Sequence, residues 1–330
     1  MSLWHLNWGW RGFISRIVCI FIPSSDYRRK FQELIGYRHK RVVREKYGQR
    51  KIHHGGEAQA LIGHLIKSGQ PCMIGRFGTV EFSVAHHYLR NASFRKNRDT
   101  AKLLKAASIN AGFFPPTPEM LARLAVEAFG IVNHADVIGV WNGALDGEEY
   151  VVNICASKAS LIGINELNPI HSDEPWSQYL EGKKVLVIHP FEKSIVQQYE
   201  KREKLFSNPK ILPEFELKIL KPVQSIAGNY AHLPYNDWFE ALESILEEIS
   251  AVDFDIALIA AGAYGMFLAD YCKSIGKQSV YMGSFLQIMF GICGKRWIDE
   301  GATFINEHWV RPLPEETPPN VVKVERGCYW

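Results

Sequence analysis

DFDIALIAAGAYGMFLADYCKSIGKQSVYMGS, residues 253 to 284, carries the pattern that decides the fold. A continuous apolar run ends at Gly262, AYGMFLADYCKSIG places apolar residues at helical spacing as far as Gly276, and QSVYM returns to a strand-like composition. Strand, helix and strand in succession predict parallel neighbours, and strands covered on both faces read as unbroken apolar runs. The same alternation extends upstream. KKVLVIHP (183–190) and FELKILKP (215–222) read as strands, with FEKSIVQQYEKREKLF (191–206) and NDWFEALESILEEIS (236–250) as helices.

In the first half, PCMIGRFG (71–78) and VIGVWN (137–142) read as strands. EAQALIGHLIKSG (57–69), TVEFSVAHHYLR (79–90), RDTAKLLKAASINAG (98–112) and TPEMLARLAVEAFGIVNHAD (117–136) read as helices, the first ending on Gly69 and the last opening on Thr117 as N-cap. Residues 143–182 carry no clear period. The expectation is an α/β chain with a Rossmann-like, doubly wound, mostly parallel sheet over residues 52–330.

Residues 1–51 differ in kind. They hold twelve Lys and Arg against Asp26, Glu33 and Glu45, so the remainder of the chain, with 26 basic and 32 acidic residues, is acidic. Trp4, Trp8 and Trp10 precede FISRIVCIFI, an apolar stretch of ten residues broken only by Arg16 and followed by a basic cluster. That is too short for a bilayer span, which needs about 20 apolar residues. It also lacks the charge order and cleavage site of a signal peptide. Two readings stand: an amphipathic segment lying on an anionic membrane surface, each nearby cation contributing about 1 kcal/mol, or an ordinary helix with a solvated basic face. No nucleic-acid-binding module is visible. Six cysteines without a CxxC pair read as thiols of a reducing compartment, which points to a cytoplasmic protein.

Ligands of such sheets bind beyond the carboxyl ends of the strands, so the residues that follow each strand are the candidates. In IGRFGTVEF (74–82), Gly75 and Gly78 allow a tight turn, Thr79 could cap the next helix, and Arg76 suits a phosphate. Glu81 could bind a metal, accept a proton or simply pair with Arg76. Asn142 closes the strand VIGVWN. His189 closes another strand, and Lys193 and Ser194 open the helix after it, a phosphate or carboxylate site by type. Gly262, Tyr264 and Gly265 form a turn that is not GxGxxG, which argues against a nicotinamide dinucleotide. Gln287, Lys295, Arg296 and Trp297 combine two cations and an indole, suited to a nucleotide, or else serve as a buried amide and a solvated helix end.

Taken together, IGRFGTVEF and GAYGMFLADYCKSIGKQSVYMGS resemble the GT-D type bacterial glycosyltransferases, over roughly residues 55–300. The first looks like that family's signature of Arg, Phe, Gly, Asp, any residue and Glu. The resemblance implies a glycosyltransferase of surface polysaccharide synthesis that takes a nucleotide-sugar donor and a glycan or lipid-linked acceptor at the inner face of the membrane. Glu81 and Arg76 would be catalytic, and the other residues named above would bind the donor. FIPSSDYRRKF resembles the short N-terminal stubs of bacterial polysaccharide glycosyltransferases, in keeping with the membrane-surface reading. One position departs from the signature: Thr79 stands where the family has the acidic residue that helps place a divalent cation, Mn or Mg. Glu81 is then the single motif carboxylate left for a metal, and Arg76, Lys193, Lys295 and helix N-termini are the metal-free alternative for neutralising a diphosphate.

Overall fold

Nine strands form one sheet in the order β1-β2-β5-β4-β3-β9-β8-β6-β7, and every pairing but β1 with β2 is parallel. The structure is a computed structural model that describes residues 44–95 and 97–330. The stretch 1–43, where most of the expected membrane-surface segment falls, lies outside the described residues.

The strands are β1 Lys46–Tyr47, β2 Arg50–His53, β3 Cys72–Arg76, β4 Val137–Val140, β5 Ser160–Gly163, β6 Lys184–Ile188, β7 Glu216–Leu220, β8 Ile256–Ile259 and β9 Gln278–Tyr281. Between them lie α1 Gly55–Ser68, α2 Thr79–Asn91, α3 Arg98–Asn110, α4 Pro118–Val132, α5 Glu148–Cys155, α6 Glu192–Tyr199, α7 Arg202–Leu205, α8 Trp238–Ser250 and α9 Gly265–Ser274. Two short helices, α10 Phe285–Met289 and α11 Lys295–Asp299, follow β9. The sheet takes in residues 46–51, which charge alone groups with the basic segment.

Strand alternation explains the layers. In β6, Val185 and Val187 join one apolar cluster with α1, α6 and α10, while Leu186 and Ile188 join the other with α2, α4, α8 and α9. Both faces are therefore covered, as the unbroken apolar runs require. Local signals set the helix ends. Thr117 accepts from the Met120 amide and Asp237 from those of Phe239 and Glu240, while Gly69 closes α1 in the left-handed region at φ 69°.

Three expectations are corrected. Thr79 is not the cap of α2: Gly78 holds that place with extended backbone and no side-chain cap, and Thr79 is the first helical residue. The helix expected over 191–206 breaks into α6 and α7, because the backbone of Lys201, at φ -108° and ψ 14°, leaves the helical region. The aperiodic stretch contains α5 and β5, a strand whose only large apolar residues are Leu161 and Ile162. The five described cysteines are free thiols, four of them buried. No helix among the described residues is long and apolar enough to cross a membrane.

Candidate functional site

β3, β6, β8 and β9 all release their chains at the same edge of the sheet, and the segments that leave them line one cleft. Arg76, Gly78, Thr79 and Glu81 come from the first, His189 from the second, Gly262 and Tyr264 from the third, and Tyr281, Gly283 and Gln287 from the fourth. Here the order in which strands are added to the sheet also reverses. β3 leads leftward to β4 and β5, while β9 and β8 lie on its right, an arrangement that opens a crevice at the carboxyl edge.

Arg76 is held by aromatic rings. Its guanidinium carbon lies 5.3 Å from the centroid of Trp141 and 5.5 Å from that of Tyr281. The Nε is buried with no hydrogen-bond partner, and no Arg76–Glu81 ion pair forms among the described residues. Tyr281 gives its hydroxyl proton to the Gly262 carbonyl at 2.9 Å, which fixes the ring. Burial pushes that phenol up to about 12, so it stays protonated. Gly283 completes the cradle: it sits at φ 60°, and a Cβ there would fall 2.7 Å from Nη2 of Arg76. Among the described residues that line the cleft, Arg76 is the one Lys or Arg.

Glu81 lies in the first turn of α2, where the helix dipole favours a carboxylate. Its side chain curls back over Gly78, so closely that a Cβ on Gly78 would meet Oε2 at 2.1 Å. Removal from water raises its proton affinity above the usual carboxylate range, with its own backbone amide and the charge of Arg76 pulling the other way. A carboxyl so placed can take a proton near neutral pH more readily than an exposed one.

His189 is 3 % exposed and accepts the Phe191 amide proton on Nδ1 at 2.9 Å. Its proton therefore resides on Nε2, which takes no hydrogen bond among the described residues. Burial drops its basicity to about 3, so the ring is neutral at any physiological pH. Tyr264 is 2 % exposed and stacks on Trp238 at 4.5 Å with the rings nearly parallel. Its hydroxyl is buried beside Ser225 without a well-formed hydrogen bond.

Other expected donor-binding residues are placed elsewhere. Lys193 and Ser194 do open a helix that binds an anion, but the anion is Glu316. Its Oε1 accepts the Lys193 and Ser194 amides at 2.7 and 3.2 Å, Oε2 takes the Ser194 hydroxyl, and the Lys193 ammonium faces solvent beside Glu315. Asn142 accepts the Arg44 amide at 2.6 Å, away from the cleft. Arg296 pairs with Glu325 at 2.6 Å and lies over the Tyr329 ring; it braces two residues that line the cleft without lining it. Trp297 is packed into the apolar cluster beneath α10. Gln287 does reach the cleft, but its amide donates to the carbonyls of Ile292 and Tyr329. Gly75 and Gly265 serve packing, with Met266 and the Tyr281 ring where their Cβ atoms would be.

Sequence reasoning did not anticipate Tyr281, Ser225, Glu325, Tyr329 and Trp330 as part of the cleft. Tyr281 ends a strand, so the junction rule could have found it; the others arrive through long-range folding of segments with no periodic signal.

The donor set does not build a site for Mg or Mn. Among the described residues no three His, Cys, Asp or Glu side chains are grouped to hold a metal ion. Thr79 offers no carboxylate, and Glu325 is committed to Arg296. A cation would have to take most of its ligands from phosphate oxygens and water, with Glu81 as its protein contact.

Two solved structures are similar in fold. One is a selenomethionine-substituted domain of unknown function 1792, at 14 % identity and a TM-score of 0.41, covering 82 % of this chain and 94 % of that chain. The other, whose report describes domain of unknown function 1792 as having a distinct glycosyltransferase fold, shares the same identity and coverage at a TM-score of 0.38. No curated protein matches the chain. The description of a GT-D fold-like domain matches residues 57–289, which is most of the chain and includes all four strand ends that meet at the cleft. By that match the protein belongs to the GT-D-like family.

Proposed function

We propose that the protein is a glycosyltransferase that moves a sugar from a nucleotide-diphosphate donor to a glycan or lipid-linked acceptor. The observation that carries this reading is Arg76, set beside the rings of Trp141 and Tyr281 in a strand-end cleft that holds no other Lys or Arg among its described residues, and not ion-paired with Glu81. A guanidinium so fixed meets a diphosphate without reorganising, which is where catalysis of this type gains most.

In the proposed step the acceptor oxygen bonds to the anomeric carbon while the bond from that carbon to the diphosphate oxygen breaks. Glu81, as carboxylate, takes the acceptor hydroxyl's proton. The charge released on the leaving diphosphate is met by Arg76.

Thr79 favours a second reading, a non-catalytic protein that binds nucleotide sugars or glycans on the same scaffold. Incubation with uridine and guanosine diphosphate sugars, with and without Mn, followed by product mass, separates the two. Transfer supports the enzyme, and saturable binding without turnover supports the binding protein. The wider setting we propose is bacterial surface polysaccharide synthesis, with residues 1–51 resting on the anionic inner face of the cytoplasmic membrane. Deleting residues 1–30 should release the protein from membranes, and unchanged partitioning would contradict that setting.

A further inference from the structure

The cleft has two chemically different ends. At β3 and β9 stand the charged groups Arg76 and Glu81. At β6 and β8 stand His189 and Tyr264, both buried and uncharged: the Nε2–H of His189 makes no hydrogen bond among the described residues, and the Tyr264 hydroxyl lies beside Ser225 without a well-formed one. A buried hydroxyl without a full partner is costly, so one that lines a cleft marks a place where a ligand atom belongs. His189 is its counterpart. Phe191 occupies Nδ1 and thereby commits Nε2–H as a donor toward the cleft. The Trp238 stack holds the Tyr264 ring, so neither group can turn away to find another partner.

We infer that the β6–β8 end is a neutral subsite that reads the hydroxyls of a polyhydroxyl ring, through His189 Nε2–H and the Tyr264 hydroxyl. This rests on the donor reading above and adds to it which end of the cleft takes which part of the ligand. Phosphates are directed to Arg76, and the ring, with oxygens that can accept two fixed donors, to His189 and Tyr264. Neutral donors suit hydroxyls in particular: a charged group there would hold phosphate in place of the sugar. Two rings of a nucleotide sugar carry this chemistry, the ribose and the transferred pyranose.

The test is calorimetric titration of the full chain with UDP, GDP, their 2′-deoxy forms, UDP-glucose and GDP-mannose. The proteins compared are wild type, Tyr264→Phe, His189→Leu, His189→Gln and Arg76→Ala. Tyr264→Phe keeps the stack and removes only the hydroxyl, so its melting temperature should equal or exceed that of wild type while ligand affinity falls about five- to tenfold. His189→Leu should lose a similar factor and His189→Gln, which keeps a donor, should recover part of it. A loss already present with UDP or GDP, and smaller with the 2′-deoxy forms, assigns the subsite to the ribose. A loss confined to the nucleotide sugars assigns it to the pyranose. Wild-type affinity in both Tyr264→Phe and His189→Leu, with Arg76→Ala still weakened, overturns the subsite alone. No binding of any of these ligands by wild type overturns the donor reading and the subsite with it.

Discussion

Glu316 places Oε1 2.7 Å from the Lys193 backbone nitrogen, and so fills from within the anion site that the start of α6 offers. The two residues are 123 positions apart in sequence, and their bond fastens the C-terminal segment to the same edge of the sheet that carries the cleft. Trp330, whose indole nitrogen donates to the Glu316 carbonyl, lines that cleft together with Tyr329.

Glu316→Ala should therefore destabilise the protein by about 2–4 kcal/mol, because a buried amide and hydroxyl of Ser194 and the partly buried Lys193 amide lose their acceptor. Lys193→Ala, which removes an exposed ammonium and keeps the amide, should cost under about 0.5 kcal/mol. Urea unfolding of both variants measures the difference, and equal midpoints would refute the assignment.

Arg76→Lys should not restore what Arg76→Ala loses. A lysine keeps the charge but gives up the planar contact with Trp141 and Tyr281 and the fixed fork of donors. Donor affinity should fall at least about tenfold in both. Titration with a nucleoside diphosphate checks this, and near-wild-type binding by the lysine variant would show that charge alone suffices.

Gly283→Ala tests the cradle without touching a charged group. The new Cβ would meet Arg76 Nη2, and the left-handed backbone at this position costs a non-glycine residue about 1–2 kcal/mol. A lowered melting temperature together with weakened donor binding is expected. Loss of stability with full affinity would mean that Arg76 is not positioned by this contact.

The raised proton affinity of Glu81 gives two opposed pH effects. Because the folded carboxyl binds its proton more tightly than the unfolded one, its ionisation costs stability as pH rises through the folded value, and that cost is relieved on acidification. Activity runs the other way, since the base must be ionised: the acid limb of kcat/KM should lie above the ordinary range for a glutamate. Glu81→Gln should abolish transfer, keep the fold, and remove this part of the pH dependence of stability. A pH–rate profile with parallel unfolding curves reads both.

The sheet was legible where burial on two faces wrote itself into sequence as apolar runs: β3, β4, β6, β7, β8 and β9 all fall inside stretches marked by composition. β5 was not, since only Leu161 and Ile162 stand between Ser160 and Gly163 and no longer apolar run surrounds them, and β2 was masked by Arg50 and Lys51. Within the site, the rule that ligands meet strand ends brought out Arg76, Glu81, His189 and Tyr264, which do line one cleft. The rule could not foresee that Ser194 would be claimed by Glu316, or that Arg296 would turn to Glu325. Those partners lie 122 and 29 residues away, and no local pattern encodes them.

Phosphorus NMR of a uridine or guanosine diphosphate sugar, titrated with wild type and with Arg76→Ala, tests the central claim most directly. Both phosphorus resonances should shift or broaden saturably with wild type, and the effect should be largely lost in the variant. Equal perturbation by both proteins, or none by wild type, would contradict the assignment of this cleft to the diphosphate.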